Sequence, residues 1–245
     1  MERSNVLFYV KDFFYFIKNP YSVKQYEKIS IKNILFLFLI FFSFTILLQL
    51  IIISITNLLL FYDIISLPMY GGNGKRDFFH FFIVPCVIGV LFEESIYRLP
   101  LKFSSFNISV SILIMWIDFP LNHFLISTNK HFSDISNIKL IIIKVLIIIS
   151  IGFILNQKKI RCILQNFWTN YFKWIFYSLS LFFGLIHITN YILTLSLVLL
   201  SPLICFGSIF SGLVFSFLRV KYGFIYCLLF HFLYNSILYL LILFT

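Results

Sequence analysis

Long apolar runs, nearly free of charged residues, recur along most of this chain. A helix needs about 20 consecutive apolar residues to cross the hydrocarbon core of a bilayer. A single segment in lipid must satisfy its own backbone hydrogen bonds, and an α-helix does so. The runs therefore predict an all-α, polytopic transmembrane helical bundle of about seven to eight spans with an interior polar cavity.

The predicted spans lie, in chain order, at about 33–61, 78–97, 106–126, 138–155, 172–189, 192–218 and 223–244. The run 192–218 is long for one crossing, and Pro202 or Gly207 would divide it into two. Seven and eight spans therefore both stay open. The polar segment 127–137 and the basic segment 156–173 are expected to be connecting loops.

The overall composition agrees with a membrane protein. Hydrophobic residues make up 61% of the chain and charged residues 11%, whereas a soluble domain is about a quarter charged. The net charge of +10 does not indicate nucleic-acid binding, because most basic residues fall at the N-terminus and in short loops. That distribution is typical of cytoplasmic segments and of contact with membrane lipids. We expect a multi-pass cell-membrane protein with a cytoplasmic N-terminus, whose bundle spans residues 33–245.

The N-terminal segment, residues 1–32, mixes charged and aromatic side chains. Val10, Phe14, Ile17 and Tyr21 recur at helical spacing. This pattern predicts a cytoplasmic amphipathic helix that lies at the membrane surface.

Two adjacent glutamates, Glu93 and Glu94, end one of the apolar runs, and Arg98 follows them. A charge in the membrane costs roughly 2.5–3.5 kcal/mol on insertion scales, so it marks a functional site by default. Glu94 and Arg98 are four positions apart in the favourable order for a helical ion pair. Glu93 lies about 100° round the helix and is left free to act as a general base. A charged helix end that reaches the headgroups is the alternative.

Two further apolar runs each carry a pair of residues, four positions apart, that includes a polar side chain. Phe183 and His187 form one pair, with Asn190 just beyond, and His231 and Asn235 form the other. Residues at this spacing share one helix face. Polar side chains in such helices face the bundle interior. Each pair is also compatible with hydrogen bonding between helices that serves packing alone.

Together these side chains are sufficient for peptide hydrolysis without a covalent intermediate. Water that attacks a peptide carbonyl needs a base and needs donors for the developing oxyanion. Glu93 and His187 can hold and activate the water, and His231 and Asn235 can donate to the oxyanion.

The ordered motifs Glu-Glu-x-x-x-Arg (93–98), Phe-x-x-x-His (183–187) and His-x-x-x-Asn (231–235) resemble the CPBP family of intramembrane glutamic endopeptidases. This family is also called the Abi or CAAX-protease family, and it includes the Ras-converting CAAX endopeptidase. The resemblance covers residues 78–240, which would form the catalytic core. Flanking residues strengthen it, with Phe-Gly-Leu-Ile-His-Ile-x-Asn at 183–190 and Leu-Arg-x-Lys-x-Gly at 218–223.

The resemblance implies a catalytic role for four of these residues. Glu93 and His187 would activate water, and His231 and Asn235 would form the oxyanion site. The supporting residues would be Glu94, Arg98, Phe183 and Asn190. The resemblance also implies a metal-independent mechanism with no cofactor.

The resemblance further implies a membrane-associated peptide or lipidated peptide as substrate, such as a prenylated CAAX tail, a pheromone precursor or a bacteriocin-type peptide. Two other functions stay open. Glu93, His187 and His231 also form a two-histidine, one-carboxylate set of the kind that binds a metal in a metal-dependent protease. The same polar residues would suit a non-catalytic immunity protein, a substrate-binding protein or a proton-linked transporter.

Proline and cysteine positions add three smaller expectations. Pro100 follows the first motif closely enough to end its helix near Arg98. Asp118 and His123 flank Pro120 in a span that we expect to be broken, and they are interpreted as cavity-lining residues. The cysteines are far apart and are expected to be small buried hydrophobes; they are Cys86, Cys162, Cys205 and Cys227.

Overall fold

The computed structural model describes residues 6–23, 25–65, 79–127, 146, 147 and 149–243. All elements within these residues are helical, and no strand occurs among them, so the all-α prediction is confirmed for this part of the chain. The α-helices whose two ends are described are α1 (Val6–Lys18), α2 (Ile31–Phe61), α3 (Val90–Tyr97), α4 (Ser105–Ser127), α5 (Lys158–Asn170), α6 (Phe172–Leu185), α7 (Leu195–Leu199), α8 (Ser201–Ile204), α9 (Phe206–Lys221) and α10 (Phe224–Leu243). Residues 146, 147 and 149–156 are also helical. A π-helix, Phe79–Gly89, leads into α3, and 3₁₀ turns at Leu99–Leu101 and Ile186–Asn190 follow α3 and α6.

Two helices of the described part are long and apolar enough to cross a membrane, judged by length and composition alone. They are Ile31–Phe61 and the continuous stretch Phe172–Asn190. Shorter apolar helices cover Ser105–Trp116 and Phe224–Leu240. In both long helices only 28% of the most apolar window is buried. Most residues of these windows are therefore not buried against the rest of the described protein.

Helix α9 lies at the centre of the bundle and packs against α6, α10 and α2. Small residues let α6 and α9 approach closely, since a Cβ atom on Gly184 would overlap the Ile209 side chain. Hydroxyl groups also join the two helices, with Ser180 Oγ 2.8 Å from Ser216 Oγ. Close approach through small residues and interhelical hydrogen bonds is how helices associate where apolar contact alone gives no preference over lipid.

The N-terminal helix α1 packs on this core, and its buried face differs from the prediction. Tyr9, Phe13 and Phe16 are buried, whereas Phe14 is 54% exposed and Tyr21 45% exposed. The rings of Phe13 and Phe16 fit edge to face against aromatic side chains of α9 and α6. The face that packs on protein is therefore offset from the predicted stripe, of which Val10 and Ile17 are partly buried.

A buried lysine ties the N-terminal segment to the end of α9. Lys221 Nζ donates to Glu27 Oε1 at 2.8 Å and to Asp12 Oδ1 and the Tyr21 hydroxyl, each at 3.2 Å. Burial by itself lowers the pKa of Lys221, but these partners outweigh burial and leave that pKa above its usual value. The pairing satisfies a charge that would otherwise be costly to bury.

Two of the predicted spans differ in detail from the helices observed. The run 192–218 is divided into α7, α8 and the start of α9, with breaks at Leu200 and Cys205. Pro202 lies in the first turn of α8, where a missing N–H costs nothing. In contrast, α4 continues through Pro120, so the predicted break is wrong. The side chains of Asp118 and His123 lie outside the described residues.

The segment 156–173 was predicted to be a loop, and this prediction is wrong, because the segment contains the helix α5. Its charges fall on one side and its apolar residues recur at three and four positions, a helical period that the basic composition concealed.

The end of α3 agrees with prediction: the helix stops at Tyr97, and Pro100 lies in the following 3₁₀ turn. The predicted loop 127–137 falls almost entirely outside the described residues.

We predict that Gly184→Ala lowers the thermal unfolding midpoint in detergent, because the new methyl group would meet the backbone of Ile209 at 2.5 Å. Overpacking of this kind costs about 1–3 kcal/mol. Gly152→Ala is the matched control, since its Cβ would lie an ordinary 3.6 Å from Ser109 Oγ. Equal unfolding midpoints for the two variants would contradict the close packing of α6 on α9.

Candidate active site

The first and third motifs meet at a buried contact between α3 and α10. His231 Nδ1 lies 2.9 Å from Glu94 Oε1, and 137 positions separate the two residues in sequence. The Glu94 side chain is fully buried and that of His231 is 3% exposed. A carboxylate that accepts from an imidazole N–H forms a strong, charge-assisted hydrogen bond. This contact fixes how α10 lies against α3.

Glu93 approaches the other side of the same imidazole. Its Oε2 atom lies 3.7 Å from His231 Nε2, and its side chain is 33% exposed. Because Glu94 holds Nδ1, Nε2 is the ring nitrogen that faces Glu93. The two adjacent glutamates thus differ in environment: Glu94 is buried and orients the histidine, and Glu93 is partly exposed.

Arg98 completes this group, which we call the acid–histidine cluster (Glu93, Glu94, Arg98 and His231). Its Nε atom lies 3.7 Å from Glu94 Oε2, and both side chains are fully buried. The i, i+4 ion pair expected from the spacing is therefore present. None of the Arg98 side-chain nitrogens makes a hydrogen bond to another described residue. The guanidinium lies instead over the Phe183 ring, 4.3 Å from its centroid, in a favourable cation–π arrangement.

Phe183 joins the second motif to the cluster. Its ring centroid lies 5.6 Å from that of His231 and 5.2 Å from that of His187, in edge-to-face geometry. The His187 ring is held by its Nδ1 atom, 2.9 Å from the Phe183 carbonyl oxygen. Both histidines therefore contact one buried phenyl ring. Within the described residues, no ion pair joins His187 to a glutamate.

The remaining predicted residues occupy different surroundings. Asn235, one turn after His231, donates from Nδ2 to the Pro85 carbonyl oxygen at 3.3 Å. That length is near the limit for a hydrogen bond, so the bond is weak. Pro85 belongs to the π-helix, a type of turn that is frequent at functional sites. Asn190 lies at the end of its 3₁₀ turn and is exposed.

The structure adds three residues that the motifs did not identify. Phe215 stacks on His231 with centroids 4.7 Å apart and an interplanar angle of 21°. Arg219 Nε donates to the Arg98 carbonyl oxygen at 3.0 Å. The buried Cys227 thiol lies against Glu94. Cys227 precedes His231 by four positions, so the sequence contained that signal, whereas nothing in it pointed to Phe215.

The metal-binding alternative requires three ligand side chains close together, and no such group occurs in the part of the chain that the structure describes. No three His, Cys, Asp or Glu side chains there are arranged to hold an ion. His187 would be the third ligand of the predicted set, and it contacts Phe183 rather than a carboxylate.

Comparison with known proteins finds no matching family model, no matching curated protein and no matching solved structure. The resemblance to the CPBP family therefore stays a prediction that depends on the three ordered motifs.

We predict that Glu94→Gln destabilises the protein by about 3–5 kcal/mol, because it leaves Arg98 as a buried charge without its carboxylate. Glu93→Gln changes the same side chain one position earlier at a partly exposed site, where effects stay within about 1 kcal/mol. Chemical unfolding of both variants in detergent measures the difference. Equal losses in the two variants would contradict the different environments of the two glutamates.

Proposed function

We propose that this chain is a multi-pass membrane endopeptidase that hydrolyses a peptide bond of a membrane-associated peptide with water. The acid–histidine cluster carries the proposal: His231 lies between Glu94, at 2.9 Å, and Glu93, at 3.7 Å, inside an apolar helical bundle. Burying several ionisable groups together in such a bundle costs stability, and function is the common reason for it.

The membrane placement is part of the same proposal. The two long apolar helices and the two shorter ones would cross the bilayer together. The seven-to-eight span bundle and the cytoplasmic N-terminus follow from the apolar runs and from the distribution of basic residues. The partly exposed Glu93 would then face a polar cavity between the helices.

In the proposed reaction Glu93 is the general base. It accepts a proton from a water molecule, and the oxygen of that water attacks the carbonyl carbon of the peptide bond. The proton then passes to the amine nitrogen as the carbon–nitrogen bond breaks. A free carboxylate and a free amine result, so the sequence of steps needs no co-reactant.

The tetrahedral intermediate carries negative charge on the former carbonyl oxygen, which needs N–H donors. His231 and Asn235 share one face of α10 and suit this role. Because Nδ1–H of His231 is engaged by Glu94, this ring donates to the oxyanion from Nε2 as an imidazolium, in which both ring nitrogens carry protons. Glu94 holds the His231 ring in a fixed orientation, in the way that a buried carboxylate orients a catalytic histidine. The weak bond from Asn235 to Pro85 can be exchanged for one to substrate. His187 is assigned to water activation from the motif spacing, and it contacts Phe183, the ring that also contacts His231.

A cleavage assay on the purified full chain in liposomes tests the proposal with a peptide panel that includes a farnesylated CAAX peptide. We expect Glu93→Gln to lower kcat/KM by about 10²–10⁴-fold, the usual contribution of a general base. Asp63→Asn is the matched control, because it makes the same carboxylate-to-amide change at an exposed position after α2. It should cleave at the wild-type rate.

The other functions predict different results in this assay. Loss of wild-type cleavage on addition of EDTA would favour the metal-dependent protease. Cleavage that survives Glu93→Gln would show that Glu93 is not the base. Failure to cleave any peptide of the panel would favour the non-catalytic immunity or substrate-binding protein.

A further inference from the structure

Helix α5 has two unlike faces. Ile160, Ile163, Leu164, Phe167 and Trp168 recur at three and four positions and form an apolar stripe. The other side is polar and begins with three basic residues, which are Lys158, Lys159 and Arg161. The helix contains no acidic residue. A strongly amphipathic helix with this charge is typical of segments that lie in the plane of a membrane surface.

The apolar stripe of α5 is only partly covered by the rest of the described protein, since Ile160, Leu164 and Trp168 are half-buried. No residue of this helix is buried, and Ile163 is 59% exposed and Phe167 49% exposed. By contrast, α1 buries its aromatic residues Phe13 and Phe16 almost completely. The exposed part of the stripe, at Ile163 and Phe167, is therefore available for burial in an apolar environment outside the described protein.

The position of α5 indicates what that environment is. The helix is joined through Tyr171 directly to α6, which begins one of the two stretches long enough to cross a membrane. Tyr171 and Trp174, at this junction, are 51% and 68% exposed. Tyrosine and tryptophan are enriched where helices leave the hydrocarbon for the headgroup layer. The junction thus has the character of a membrane–water boundary, and α5 continues from it.

A hydrogen bond fixes α5 at the end of the bundle where Arg98 lies. Trp168 Nε1 donates to the Pro100 carbonyl oxygen at 2.7 Å, and Trp168 also contacts the Phe103 ring. The stripe therefore has a defined position relative to α3 instead of depending on a free loop.

We propose that α5 is a membrane-surface helix that binds anionic lipid headgroups through Lys158, Lys159 and Arg161. Ile163 and Phe167 enter the interfacial layer beneath those headgroups. The charge of the helix favours anionic over neutral lipid, because each basic residue near such a surface adds to the attraction. This inference rests on the membrane placement proposed above and adds a lipid preference at a defined helix.

Cys162 provides a site-specific probe for the test. It is the exposed cysteine of α5, so the prediction of a buried residue is wrong for Cys162, whereas Cys86, Cys205 and Cys227 are buried as predicted. A nitroxide label on Cys162 of the full chain would be compared in nanodiscs of phosphatidylcholine alone and of phosphatidylcholine with about one third phosphatidylglycerol. The readouts are the motion of the label and its accessibility to a water-soluble relaxation agent.

We expect accessibility to fall by about two- to three-fold in the anionic nanodiscs and to recover at high salt, since salt screens exposed charges. The triple variant Lys158→Gln, Lys159→Gln, Arg161→Gln should lose the response. The matched control Lys11→Gln, Lys18→Gln, Lys28→Gln removes the same charge from exposed positions of the N-terminal segment and should keep it.

Three results would overturn the proposal. They are equal accessibility in the two lipids, a response that survives the α5 variant, and an equal loss in the control variant. If the protein enters nanodiscs but the accessibility of its label does not change with anionic lipid, the lipid site is refuted and the membrane placement stands. A protein that does not enter nanodiscs of either composition would refute the membrane placement itself.

Discussion

The hydrogen bond between the buried side chains of Glu94 and His231 is the interaction on which the rest of the site depends. It joins α3 to α10 across the bundle at 2.9 Å. Neither group can be buried cheaply alone, because an unpaired charge in a low-dielectric interior costs several kcal/mol. Arg98 supplies the cation that balances Glu94, and Phe183 supplies the ring face on which Arg98 lies. Removing any one of these groups leaves another buried without its partner, which costs stability.

This arrangement separates two tasks between adjacent residues. Glu94 is buried and orients the imidazole, so it contributes to structure. Glu93 is partly exposed and faces Nε2 of the same ring, so it can meet a water molecule. The α-helix turns by about 100° per residue, which is why neighbours in sequence point into different environments.

The sequence predicted those features that depend on local spacing. The i, i+4 pairing of Glu94 with Arg98, the end of α3 before Pro100 and the long helix α2 all follow from short-range rules. Features that depend on which surfaces meet were less predictable. The pairing of Glu94, rather than Glu93, with His231 and the stacking of Phe215 depend on the approach of distant helices. Helix α5 was missed because its charges resembled those of a loop, although its apolar residues had a helical period.

A double-mutant cycle between Glu94 and His231 tests the central interaction most directly. The free energy of unfolding in detergent would be measured for wild type, Glu94→Gln, His231→Phe and the double variant. Residues in direct contact couple by about 0.5–3 kcal/mol, whereas distant residues add independently. We expect a favourable coupling of about 1.5–3 kcal/mol, as for a hydrogen bond to a charged group. Additive effects of the two substitutions would contradict the contact and, with it, the assembly of the site.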